Sequence, residues 1–141
     1  MQGEHYLKAA YAYLYIRDFE HAQEAFEKAI ASDPFNALYY FHASITALRS
    51  EDFDLAMTWA LRAAKLEPDN PMYKQHLDVV MAAIYNRDAR TAFLNGDVDE
   101  AMKRFKSALE LDPLNEEAQQ ALYSLDESYY KVPDTKQEGT S

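Results

Sequence analysis

The chain of 141 residues has no cysteine, which excludes a disulfide framework and any thiolate metal site. Three glycines and five prolines are too few for the many turns of an all-β fold. The glycines are also isolated from one another, so no Gly-rich phosphate loop is present. Cations are scarce: 14 Lys and Arg stand against 24 Asp and Glu, a formal net charge of −10. Nucleic acid is therefore not an expected partner, because phosphate binding needs clustered Lys and Arg. The acidity instead favours solubility or draws in a basic partner. The longest apolar run, 9–16, has eight residues and the next, 79–85, seven, against the ~18–20 that span a bilayer, so no membrane partner is expected. The first residues, MQGEHYLKAAYAY, lack the charged-then-apolar layout of a signal peptide. A cytoplasmic protein is the expectation.

Catalytic chemistry finds no foothold either. His5, His21, His42 and His76 are scattered, and no pair has the HExxH spacing of a zinc helix. The many carboxylates fall on helix faces opposite the apolar stripes, where they solvate the fold. No catalytic residue, metal ligand or cofactor is expected, and the chain does not read as an enzyme.

What is present is a helical sequence with an internal repeat. Apolar residues make up 48% of the chain, and Ala, Leu, Glu, Lys and Gln, all strong helix formers, dominate it. The stretch RDFEHAQEAFEKAIASDPFN at 17–36 returns as EDFDLAMTWALRAAKLEPDN at 51–70 and as GDVDEAMKRFKSALELDPLN at 96–115. Counting back from Pro34 and Pro68 aligns Tyr6 with Tyr40, Ala10 with Ser44, Phe19 with Phe53, Ala22 with Ala56 and Ala29 with Ala63. The same offsets from Pro113 reach Tyr85, Ala89, Val98, Ala101 and Ala108. Large residues thus meet small ones where two helices must approach closely.

A 34-residue helix–turn–helix period with Ala-x3-Phe at Ala22/Phe26 and Ala101/Phe105 resembles the tetratricopeptide repeat (TPR) family. The resemblance covers about residues 3–115. It implies an all-α TPR α-solenoid, a right-handed superhelix of antiparallel helix pairs, with seven helices of which the fifth is extended. The expected helices are 4–16, 19–32, 37–49, 53–66, 71–95, 98–111 and 116–131. They form one domain, 1–131, with repeats at about 3–36, 37–70 and 82–115, an extension at 71–81, a capping helix at 116–131 and a disordered tail at 132–141. The cap carries a helical stripe of Ala118, Leu122, Leu125 and Tyr129. The chain departs from the family where the turn glycine survives only as Gly96. Arg17 and Glu51 take the equivalent places and are expected to carry a left-handed backbone cost.

Pro68 to Pro113 spans 45 residues, an insertion of 11. That is about three helical turns with a surplus of only ~20°, so the fifth helix lengthens without rotating its packing face. At ~37 Å its first turns are expected to overhang their neighbours. Met72, Tyr73, Leu77 and Val80 lie near one face of them. That face either packs on the preceding repeat or forms a self-association surface.

The resemblance also implies a concave groove lined by the first helix of each repeat. By alignment its residues are Leu7, Tyr11, Leu14 and Tyr15, then Phe41, His42, Ile45 and Leu48, then Asn86, Arg87 and Arg90. One end is aromatic and aliphatic, the other polar and basic, which suits a peptide with apolar anchors and an acidic group. Some TPR domains hold the acidic C-termini of heat-shock chaperones in a carboxylate clamp. The matching positions here are Leu7, Tyr11, His42, Ala83 and Arg87, and only Arg87 agrees. Without the clamp's Lys and Asn donors a terminal carboxylate loses its charge-assisted bonds, so clamp-type co-chaperone function is rejected. Three functions remain open: an adaptor binding a protein or peptide segment in the groove, a secretion or assembly chaperone shielding an apolar client segment, and a homo-oligomeric scaffold built through the long helix.

Overall fold

The computed structural model describes residues 2–125. The expected last turns of the capping helix with Tyr129, and the expected tail at 132–141, lie outside the described residues. Those described form seven helices and no strand: α1 (Gln2–Tyr15), α2 (Phe19–Ser32), α3 (Ala37–Arg49), α4 (Phe53–Leu66), α5 (Pro71–Leu94), α6 (Val98–Leu111) and α7 (Glu116–Leu125). Five expected starts, at 19, 37, 53, 98 and 116, agree with the structure, as does Pro71 opening α5.

The boundaries are fixed by capping chemistry repeated in phase. Asp18, Asp52 and Asp97 each accept the backbone N–H three residues on, from His21, Leu55 and Glu100, which starts α2, α4 and α6. Asn36, Asn70 and Asn115 cap α3, α5 and α7, accepting the backbone N–H two residues on from Leu38 and Met72 and three residues on from Ala118. Between the two helices of each repeat the chain turns through a left-handed residue: Arg17 at φ 63°, Glu51 at 61° and Gly96 at 85°. Around these residues Asp18 N–H reaches Tyr13 O, Asp52 N–H reaches Ala47 O and Asp97 N–H reaches Ala92 O, each at 2.9 Å. With the companion bonds from Arg17, Glu51 and Gly96 to Leu14, Leu48 and Phe93, each turn satisfies the last carbonyls of the preceding helix in a Schellman arrangement.

The chain divides into two compact units, 1–81 and 82–141, and the division falls where the third 34-residue repeat is counted to begin. In the first unit α1 packs on α2, α2 on α3 and α3 on α4. The contacts run through fully buried small residues, Ala10, Ala22, Ala29, Ala43 and Ala56, which let the backbones approach, with Phe26 filling the space beside them. Each buried Ala gains little by itself, whereas a fully buried Phe is worth roughly 3 kcal/mol in transfer alone. In the second unit Ala82, Ala89, Ala101, Phe105, Ala108, Ala118 and Leu122 form the core, flanked by Tyr85 and Leu125.

The first turns of α5 do not overhang. Tyr73 is 3% exposed and Val80 is fully buried. The Tyr73 ring lies 5.2 Å from Phe41, and His76 bonds Ser44 on α3. Of the two alternatives for Met72, Tyr73, Leu77 and Val80, packing on the preceding repeat is the one that Tyr73 and Val80 follow. Two of the four are used for packing, Leu77 is half-buried, and Met72 is the one left exposed.

Candidate functional site

The face of interest in the first unit is built by α1 and α3. Residues 7, 11, 14 and 15 recur at helical spacing on α1, as 41, 45 and 48 do on α3 with His42 beside them, so each set shares one side of its helix. Tyr11 is exposed and Tyr15 is 90% exposed. Leu7, Leu14, Phe41, His42, Ile45 and Leu48 are half-buried, which is the state of a surface with a core behind it.

The aromatic groups on this face touch in a continuous chain. Tyr11 meets His42 edge-on at 5.3 Å, and His42 meets Phe41 at 5.3 Å. Phe41 in turn meets Tyr73 and His76, each at 5.2 Å. Behind them Phe26 stacks parallel to His42 at 6.4 Å. Edge-to-face pairs of this kind add about 0.5–1.5 kcal/mol each beyond their area and hold the rings in fixed directions. The face is therefore preorganised rather than a loose set of side chains.

Two histidines that are far apart in sequence flank Phe41. Ser44, fully buried, donates its hydroxyl to Ala56 O at 2.7 Å and contacts His76 Nε2 at 2.8 Å. Its single proton is committed to the carbonyl, so His76 must donate from Nε2–H, which fixes its neutral tautomer. Burial pushes the pKa of both His42 and His76 below the ordinary value, because desolvation disfavours the charged ring. Burial likewise pushes Tyr11 and Tyr73 up. At neutral pH this face is aromatic and uncharged.

The second unit presents a different surface. Asn86 is buried, not a lining residue: its Nδ2 donates to Asn115 Oδ1 at 2.8 Å, tying α5 to the cap of α7. Its own Oδ1 is buried and has no hydrogen-bond partner among the described residues. Arg87 bonds Asp88 at 3.1 Å, and Arg90 is paired with Glu117. The expected basic end is thus a network of internal ion pairs, extended by Arg104 to Asp88 and Glu100.

Beside that network the structure shows residues that the sequence reading passed over. Phe93 and Leu94, the latter 82% exposed, join Arg90, Phe105, Glu117, Ala121, Ser124 and Leu125 around an apolar cavity of about 360 Å³. A signal was available, since Phe93 occupies the repeat offset of Leu14 and Leu48 and Leu94 that of Tyr15. Among the described residues no group of three His, Asp or Glu side chains is placed to hold a metal ion, and no helix is long and apolar enough to cross a membrane.

Helix pairs closed by a left-handed turn and opened by alternating Asp and Asn caps define a repeat, and residues 7–71 match the family described as tetratricopeptide repeat. Over that span the chain is similar to TPR proteins. Among solved structures, the fold is similar to that of the second TPR domain of human RPAP3, determined in complex with the HSP70 peptide SGPTIEEVD. The TM-score is 0.56 at 20% identity, over 89% of this chain and 95% of that one. It is also similar to MamA of MSR-1, with a TM-score of 0.52 at 24% identity over 92% of this chain and 68% of that one. In sequence the chain is 28% identical over 106 residues to the STIP1 homolog of Dictyostelium discoideum. That match takes in 75% of this chain but 17% of the relative, so the chain spans about a sixth of that protein's length.

Proposed function

We propose that this chain is a TPR interaction adaptor that binds a segment of another protein on the α1–α3 face of its first unit, without catalysis of its own. One observation carries the reading. An uncharged aromatic ladder, Tyr11–His42–Phe41, is held at fixed ring contacts yet keeps Tyr11 and Tyr15 open to solvent. Rigid aromatic side chains bind at low entropic cost and dominate the energetics of most protein interfaces. Leu7, Leu14, Ile45 and Leu48 supply the apolar surround. The absence of cysteine accords with a cytoplasmic setting.

The RPAP3 domain was determined with a peptide ending in Glu-Glu-Val-Asp, but the chemistry of this face differs. Leu7, Tyr11 and His42 offer no cation to a terminal carboxylate, and Arg87 and Arg90 of the second unit have carboxylate partners of their own. The ligand on this face is a segment anchored by apolar side chains. Chemical-shift mapping with a peptide selected against the whole chain tests this. Shifts concentrated on α1 and α3 around Tyr11, Tyr15 and Phe41 are expected, and shifts that avoid both helices would refute the assignment.

A further inference from the structure

A second site lies away from that face, on the side of the first unit formed by α2 and α4. Ile30, Tyr40, Thr58, Trp59, Leu61, Arg62 and Lys65 line a cavity of about 490 Å³. Its floor is apolar and rigid. Trp59 and Tyr40 are largely buried, and the Tyr40 hydroxyl is fixed by donating to Pro34 O at 2.9 Å. Leu61, 50% exposed, stands at the edge.

The rim is cationic. Arg62 and Lys65 are one helical turn apart on α4, and neither makes an ion pair among the described residues. The Arg62 guanidinium carbon lies 5.8 Å from the Tyr40 ring centroid, a cation–π distance that holds the charge over the cavity. No carboxylate lines the cavity beside them. In the second unit Arg87, Arg90 and Arg104 are all paired. The helix dipole favours Lys65 in the last turn of α4. It does not account for Arg62 a turn earlier, nor for the aromatic floor beneath both.

We propose that the α2–α4 cavity binds an acidic peptide segment, seating one large apolar side chain against Trp59, Leu61 and Ile30 while Arg62 and Lys65 take its carboxylates. Charge complementarity selects this occupant over a basic or neutral one, and the guanidinium provides a fork that can receive a carboxylate. The site is independent of the aromatic face on α1 and α3, so the chain would hold two segments of opposite character at once.

Trp59 is the chain's sole tryptophan and forms part of the cavity wall, so its fluorescence reports occupancy directly. The probe is acetyl-Glu-Leu-Asp-Glu-Phe-Leu-Glu-amide, which contains no tryptophan or tyrosine, titrated into the full chain at low and moderate salt. A saturable change in Trp59 emission is expected, weakening with salt. Affinity should fall at least about tenfold in Arg62→Gln/Lys65→Gln, and equally when Gln and Asn replace the peptide's carboxylates. Leu61→Ser, an exposed change that leaves the core intact, should also weaken binding, while Tyr11→Ala/Phe41→Ala should not. Equal affinity for the acidic and neutral peptides, or loss of binding only in the Tyr11/Phe41 variant, would overturn the proposal. So would sedimentation showing that the protein self-associates and that Arg62→Gln/Lys65→Gln abolishes it, which would give the cavity to a second copy.

Discussion

Exchanging the residue at the left-handed turn of each repeat should move stability in opposite directions. Arg17, Glu51 and Gly96 share the same place between helices at φ 63°, 61° and 85°. A side chain in this region costs roughly 1–2 kcal/mol per residue, while replacing glycine recovers about 0.4–1 kcal/mol through the unfolded chain. The net is about 1 kcal/mol in favour of glycine at such a position. A Cβ added at Gly96 would meet nothing within 4 Å, so Gly96→Ala isolates the backbone cost from any clash. It should destabilise by about 1 kcal/mol, and Glu51→Gly and Arg17→Gly should each stabilise by a similar amount. Both side chains are exposed, so little is lost with them. For a unit of this size about 1 kcal/mol corresponds to a midpoint shift of roughly 4–8 °C. Urea unfolding followed by Trp59 fluorescence reads the first unit, and far-UV circular dichroism reads the change at Gly96. If Glu51→Gly were neutral or destabilising with an unchanged urea slope, the positive φ would not store strain and the reasoning would fail.

Three further outcomes follow from the packing around the aromatic face. Ser44→Ala strands the buried His76 Nε2–H and removes a second bond from the Ala56 carbonyl, and should cost about 1–3 kcal/mol by urea denaturation, more than the loss of one exposed hydroxyl. Phe26→Ala leaves a cavity beneath His42 and should cost about 3–5 kcal/mol in the same assay. The lowered pKa values of His42 and His76 make stability depend on pH in a defined direction. The unfolded rings bind protons from about pH 6.5 downward, before the folded ones do. Their contribution is therefore full above that value and falls as pH drops toward the folded pKa values. The loss between pH 7.5 and 5.5 should flatten in His42→Gln/His76→Gln. The exposed His21, whose pKa Asp18 raises, works in the opposite sense, so removing it should not produce that flattening.

The parts of the fold legible in the sequence are those written at a fixed period. Helix starts could be read because Asp and Asn caps and the helix-closing prolines recur in phase, and the left-handed turns because a glycine appears in one copy at the place of Arg17 and Glu51. The docking of α5 was harder to read. A helical stripe through Tyr73 and Val80 identifies a buried face without naming the neighbour that buries it, and here the neighbour includes Phe41, more than thirty residues earlier. Arg90 is the same case, since its partner Glu117 lies 27 residues away and spacing within one helix cannot reveal it. His42 and His76 looked scattered for the same reason, yet both contact Phe41. Phe93 and Leu94 are legible by repeat offset, at the places of Leu14 and Tyr15, although polar residues precede them on α5.

The most direct test of the adaptor reading is the dissociation constant of a peptide selected from a random library on the full chain, measured against wild type and Tyr11→Ala/Phe41→Ala. Removing two central aromatic anchors should weaken binding by roughly 2 kcal/mol or more, about thirtyfold, with the helical content of the variant unchanged. A dissociation constant that stays the same in the folded variant would contradict the claim that the α1–α3 face holds the partner.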